Sequence, residues 1–297
     1  MTQQSAQANH EQDRPYGLQN RYLFEGKLEM KTALHVGGGK ATLSHTDSPV
    51  VLTPEGLPFI PGSSFKGTLR STIEKIVASL PAELGLHSCG LLTQVKGETC
   101  ATARQKEIND ERRARPTSAE ALQLKARQSL CHTCRLFGSP FAAARLTIND
   151  LYLIDDEWSG TTQIRDGVAI DRDSETARSG LKYDFEVVPS TTVFGLRLVL
   201  ENATEQDLQL ISIGLSEFIS GFGGVGGLRS RGLGACILAD LQIHFLDLAD
   251  EQTRKQSLKT YLLRDREKPR SGLAPLVPQV FFEQHIDKLF QESASNS

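Results

Sequence analysis

A chain of 297 residues is long enough to bury a full core, and it allows one large domain or two modest ones. Its 33 Lys and Arg stand against 36 Asp and Glu, a net charge of -3, so overall charge will not hold a nucleic acid and any such binding falls to local basic clusters. A hydrophobic fraction of 39% with no apolar run as long as a membrane span points to a soluble globular protein with no membrane partner.

The first twenty residues are polar and lack the apolar stretch of a signal peptide, which predicts a disordered arm and a cytoplasmic protein. Residues 21–35 (RYLFEGKLEMKTALH) alternate apolar and polar side chains, the mark of a half-buried strand. Glycines 37–39 then lead through Ser44, His45, Thr46 and Asp47 to a second strand-like piece at 50–52 and a turn at 53–57. By spacing alone Asp47 reads as a turn-forming residue ahead of Pro49. In PGSSFKGTLRSTIEKIVASL, Ser63 or Ser64 is an expected N-cap, and Phe65, Leu69, Ile73, Ile76, Val77 and Leu80 recur at helical spacing. Lys66 and Arg70 share one face of the first two turns, where free amides and the positive end of the dipole favour an anion. An ordinary capped helix with solvated cations competes with that phosphate site.

Residues 81–130 are charge-rich and poor in large apolar side chains, and KEINDERRARP predicts an exposed helix or a mobile excursion. Four of the five cysteines, Cys89, Cys100, Cys131 and Cys134, crowd into this stretch. Four thiolates that include a CxxC pair suit a structural zinc ion, which would staple a long insertion and leave no open position for catalysis. The long gap from Cys89 to Cys100 leaves room for His87 or His132 to replace one ligand, and a redox CxxC is the rival reading.

Residues 136–150 lead into a strand ending near Ile154. Residues 163–189 read as a long hairpin with its tip at 173–180, on which Arg165 and Arg172 either meet a backbone phosphate or pair with Asp166, Asp171 and Asp173. A clear strand at 191–200 is followed by a helix at 204–220 with a capping signal at Thr204 and Asp207. Next comes GFGGVGGLRSRGLG at 221–234, with seven glycines and two arginines in fourteen residues. Glycines there, Gly223 and Gly224 among them, let backbone amides approach a phosphate, and Arg229 and Arg231 supply the matching charge. Neither a P-loop nor a convincing dinucleotide fingerprint is present. A last core strand occupies 235–245, and after a polar segment the chain closes with QVFFEQHIDKLF, a helix whose apolar face is expected to dock either on the core or on a neighbour.

The predicted core order of strand, helix, strand, strand, helix, strand is the split βαβ of a ferredoxin-like α+β fold, with another α+β sandwich as the alternative. Four motifs, IPGSSFKGTLR, LFGSPFAAARLTINDL, IDRDSETA and GGVGGLRSRGLG, occur in an order that resembles the RAMP superfamily, and most of all the backbone subunits of type III CRISPR effector complexes. The resemblance covers roughly residues 21–245. It implies a ferredoxin-like (RRM-like) palm over 21–246, a zinc-stapled lid at 81–135 and a thumb hairpin at 163–189; the polar arm at 1–20 precedes it, and the C-terminal extension at 247–297 exceeds a minimal backbone subunit of this kind.

That resemblance also implies an endonuclease in antiviral defence. The aspartate after the first strand matches Asp47, which would act on target RNA paired to a CRISPR guide RNA with magnesium or another divalent ion. Ser63, Ser64, Lys66, Arg70, Arg165, Arg172, Gly223, Gly224, Arg229 and Arg231 would hold RNA backbone, without reading bases. Implied partners are other RAMP subunits, a small helical subunit and a large polymerase-like subunit. Two alternatives remain: a catalytically silent guide-binding scaffold, and a guide-processing endoribonuclease relying on His35 or His45.

Overall fold

The computed structural model describes residues 17–38, 46–90, 99–100, 106–107, 109–111, 113, 128–154, 158, 160–170, 173, 175–265, 267–268 and 270–291. His45, Arg172 and most of the predicted N-terminal arm therefore lie outside the described residues. Strand β1 (Asn20–Met30) forms the centre of a five-stranded sheet in the order β2-β5-β1-β6-β7, with β2 Leu146–Ile148, β5 Val193–Glu201, β6 Cys236–Asp247 and β7 Ala274–Leu276. All of these pairings are antiparallel. The alternation read along β1 turns Phe24, Leu28 and Met30 into the core, each at most 1% exposed.

Helices α1 (Gly62–Val77) and α3 (Glu205–Ile219) line the same core. Phe65 of α1 meets Phe218 of α3 at a ring distance of 5.0 Å. Ile73 presses so closely on Gly214 that any Cβ there would lie 2.7 Å from its side chain, so the glycine sets how near the helices come. Each fully buried Phe or Leu of this kind contributes on the order of 2 kcal/mol. At the start of α3 the Thr204 amide donates to the Asp207 carboxylate at 2.9 Å, as the capping signal predicts.

The core sequence β1, α1, β2, β5, α3, β6 follows the predicted order, giving a mixed helix and antiparallel-sheet fold. Two segments interrupt this order, one between α1 and β2 and one between β2 and β5. The first carries α2 (His132–Phe137), and the second is a separate two-stranded hairpin of β3 (Gln163–Ile170) and β4 (Ala177–Val187). Its connection is shorter than predicted, because β4 already begins at Ala177. The strand-like piece at 50–52 makes only isolated bridges, from Val50 to Gly37 and Leu52 to Pro58.

One feature after β6 departs from the reading. The segment expected to be merely polar contains α4 (Glu251–Leu262), which buries none of its residues and so carries no apolar stripe for the pattern to reveal. Helix α5 (Pro278–Gln291) docks on the domain itself, burying Phe281, Phe282, His285 and Leu289, with Phe281 set against Tyr22 and Phe24.

Candidate functional site

Asp47 sits where the loop leaving β1 runs beside the base of the hairpin. Its backbone N–H donates to Asp184 Oδ1 at 2.6 Å, and the Asp184 N–H returns a bond to Asp47 Oδ2 at 3.1 Å. The contact continues along the chain: Ser48 bridges Phe185 in parallel, the Glu186 N–H donates to the Ser48 carbonyl at 3.0 Å, and the Val50 N–H donates to Glu186 Oε2 at 3.0 Å. Asp47 is exposed while Pro49 and Val50 are buried, so the loop is anchored at one end and presents its aspartate at the other.

His35 lies behind this junction and is 8% exposed. Its Nδ1 faces the Glu186 carbonyl at 2.7 Å and its Nε2 faces Ser48 Oγ at 3.2 Å. Both ring nitrogens are thereby engaged within the protein, the arrangement of a satisfied core histidine.

The glycine run closes the other side. It is packed and ordered: a Cβ on Gly226 would collide with the His35 carbonyl, and one on Gly234 with the Val225 carbonyl. Gly223 and Gly224 are buried, the first beneath the Phe218 ring, so they shape the loop and do not offer open amides at the surface. Arg229–Arg231 form an exposed 3₁₀ turn. Arg231 donates to the Tyr183 hydroxyl and lies 6.0 Å from its ring, and Tyr183 in turn covers Gly167 across the hairpin. Arg165 is exposed on the same hairpin. The structure thus draws Asp47, Arg165, Arg229 and Arg231 towards one end of the molecule.

The start of α1 differs from the expectation. Pro61 is the N-cap, and Ser63 and Ser64 fall inside the first turn. Asp150 accepts the Gly62 N–H at 2.7 Å, so the chain's own carboxylate occupies the favourable anion position. Lys66 is half-buried, donates to the Leu146 carbonyl at 3.2 Å, and has its pKa pulled down by burial and by neighbouring Arg70. Arg70 is 8% exposed and turned inward, bonded to Glu74 at 2.8 Å, to the Gly138 carbonyl at 3.3 Å and to Cys134 Sγ at 3.2 Å. Burial opposes its charge, but Glu74 and Cys134 outweigh burial and hold its pKa up. Such a guanidinium serves the cysteine cluster and cannot also reach a phosphate outside.

Cys89, Cys100, Cys131 and Cys134 form that cluster: all are buried, and their sulfurs lie within 4.8 Å of one another. Zinc–thiolate bonds of about 2.3 Å in a tetrahedron separate sulfurs by roughly 3.8 Å, and Cys89 and Cys134 stand 3.6 Å apart. The Cys131 N–H donates to Cys100 Sγ at 3.2 Å and the Cys134 N–H to Cys131 Sγ at 3.4 Å. Hydrogen bonding with Cys134 draws the Cys131 thiol down, while burial pushes Cys100 up. These residues fit a metal ion such as zinc. Neither His87 nor His132 belongs to this close group, and His132 Nδ1 accepts the His87 backbone N–H at 3.0 Å.

The sequence reading missed Asp150, Tyr183, Asp184 and Glu186. Asp184 and Glu186 stand two apart on β4, a period-2 signal that marks one strand face but says nothing of the loop lying across it. A depression of about 770 Å³ is lined by other residues, Glu25, Asp150 and Asp240 among them, and Glu25 there is paired with Arg197 and Arg270. No described helix is long and apolar enough to cross a membrane.

Fold and site together define an antiparallel α+β protein with a cysteine-clamped insertion and a hairpin that meets an exposed aspartate. The family model of the RAMP superfamily matches residues 27–237, most of the chain, and the protein belongs to that superfamily. Over shorter stretches it is similar to proteins named CRISPR system Cms endoribonuclease Csm3. That of Enterococcus italicus is 41% identical over 69 residues, 22% of this chain and 32% of the relative. That of Methanocaldococcus jannaschii is 42% identical over 60 residues, 20% and 24% of the two chains. That of Streptococcus thermophilus is 33% identical over 79 residues, 26% and 36%. The matched stretches thus span about a quarter to a third of those relatives.

Proposed function

We propose that this chain is a backbone subunit of a type III CRISPR effector complex that holds the guide RNA and cleaves target RNA paired with it, with Asp47 as the catalytic residue. In this reading the sheet order β2-β5-β1-β6 with α1 and α3 is a ferredoxin-like palm, β3–β4 is the thumb, and the cysteine-clamped insertion is a lid stapled by zinc. Its partners are guide and target RNA, further RAMP subunits, a small helical subunit and a large polymerase-like subunit. The observation that carries the reading is the contact of exposed Asp47 with the hairpin base, which stands a carboxylate beside the element that would part the duplex.

In the cleavage, the ribose 2′-oxygen attacks phosphorus in line, the bond to the 5′-oxygen breaks, the 2′-hydroxyl loses its proton and the leaving oxygen gains one. Asp47 accepts or orients the departing proton at one carboxylate oxygen while the Asp184 amide holds the other. Alternatively Asp47 would hold magnesium or another divalent ion, which would supply neutralisation of the charge that develops on the phosphate. Arg165, Arg229 and Arg231, exposed near the hairpin, contact RNA phosphates.

The reciprocal Asp47–Asp184 bonds also suit a purely structural pair, and on that ground a silent guide-binding scaffold is the second reading. A guide-processing enzyme resting on His35 is disfavoured by that residue's burial and its two internal partners. The test is cleavage of labelled target RNA by guide-bound complex carrying native Asp47 or Asp47→Ala, with magnesium and with chelator. Cuts at regular intervals that vanish in the variant while target binding persists support the nuclease. Equal cutting by both, or cutting by neither, leaves the scaffold.

A further inference from the structure

We infer that Asp184, on the hairpin strand β4, is the positioning residue of the cleavage site; the inference rests on Asp47 being its catalytic group. A short side chain is aimed by the direction of its Cα–Cβ bond and by its rotamer. Asp184 governs both, because its carboxylate takes the Asp47 backbone N–H at 2.6 Å and its own amide holds Asp47 Oδ2 at 3.1 Å. Two carboxylates this close repel each other, and each is offset by the other residue's amide, so neither orientation is independent.

Asp184 is itself fixed. It belongs to a paired strand, opposite Asp166, and the next two residues bind the same loop through the Ser48–Phe185 bridge and the Glu186 contacts with Ser48 and Val50. Thr162, just before β3, donates to the other Glu186 oxygen and ties that carboxylate to the hairpin's first strand. The loop from Asp47 to Val50 is therefore registered against β4, and Asp47 moves with the hairpin base. Cleavage then depends on how the hairpin is seated, although no hairpin side chain takes part in the proton transfer.

The test is single-turnover cleavage and target affinity for guide-bound complexes carrying native chain, Asp184→Ala, Asp184→Asn or Asp47→Ala. Loss of aim by about 1 Å costs up to roughly a hundredfold, so Asp184→Ala is expected to slow cleavage by about ten- to a hundredfold with target affinity within about twofold of native. Asp184→Asn keeps an oxygen that accepts the Asp47 amide and restores most of the rate, a rescue that general loss of structure would not show. The inference is overturned if Asp184→Ala cuts at the native rate, or if Asp184→Asn is as slow as Asp184→Ala, while Asp47→Ala is inactive. Should Asp47→Ala cut like the native chain, the underlying reading of Asp47 fails instead. If Asp184→Ala does not assemble, the near-isosteric Asp184→Asn carries the test: normal assembly with a slow rate overturns the inference, and a near-native rate upholds it.

Discussion

The cysteine cluster and the hairpin junction each tie an insertion to the same core, by opposite means. In the cluster four buried sulfurs converge on one point, braced by an inward arginine and by backbone amides. At the junction an exposed loop lies along a strand through single hydrogen bonds and carboxylate–amide pairs. Buried ligands around an ion give a closure that is all or none, because removing one donor leaves the others unsatisfied. Exposed hydrogen bonds are each worth only about 1 kcal/mol and can be remade in another register, so this closure yields by degrees.

The largest effect is expected from breaking the cluster. Cys131→Ser should abolish bound zinc, measured by metal analysis, and destabilise the insertion by several kcal/mol, seen as a lower Tm and faster proteolysis within residues 81–135. A Cys131→Ser chain with native zinc content would contradict the four-cysteine site. Breaking the junction at its tip should do the reverse: Asp47→Ala leaves Tm unchanged and lowers single-turnover cleavage by about 10²- to 10⁴-fold.

A smaller effect is expected from the exposed turn. Replacing Arg229 and Arg231 together with alanine should weaken RNA binding alike for unrelated guides and flatten the salt dependence of log K by roughly 1.4 units for a single strand. A loss that varies with guide sequence would mean base contacts. The mildest effect concerns α5, which belongs to neither region. Glu205, at the start of α3, pairs with His285 Nδ1 of α5 at 2.7 Å and accepts from Lys288 of α5 at 2.9 Å. Burial raises its pKa, but these two partners outweigh burial and bring it below the usual glutamate value. A depressed carboxylate contributes stability that is present above its unfolded pKa and is lost as pH falls through the folded value. Amide exchange in α5 should accordingly rise on acidification below the usual glutamate range, and Glu205→Gln should remove that dependence.

The alternation in β1, the helical spacing from Phe65 to Val77, the capping signal at Thr204 and the CxxC pair could be read directly, because each is a local pattern repeated at the period of its element. The order of core elements followed from them. Helix α4 could not be read so, since a helix that buries nothing leaves no stripe. Nor could the partners of the cationic residues: Arg70 looks like a surface cation in sequence, and only the approach of Cys134, 64 positions away, turns it inward.

Sequence by itself determined the order of the core strands and helices and which residues carry thiol, carboxylate and guanidinium chemistry. Tertiary structure alone decided which of those groups meet. It chose Cys89 over His87, gave the start of α1 to Asp150, packed the glycine run into the core and set Asp184 against Asp47 across 137 positions of chain. The physical reason is that element identity comes from short-range periodicity, whereas a site is a set of long-range contacts that exist only once the sheet has brought distant loops to one end.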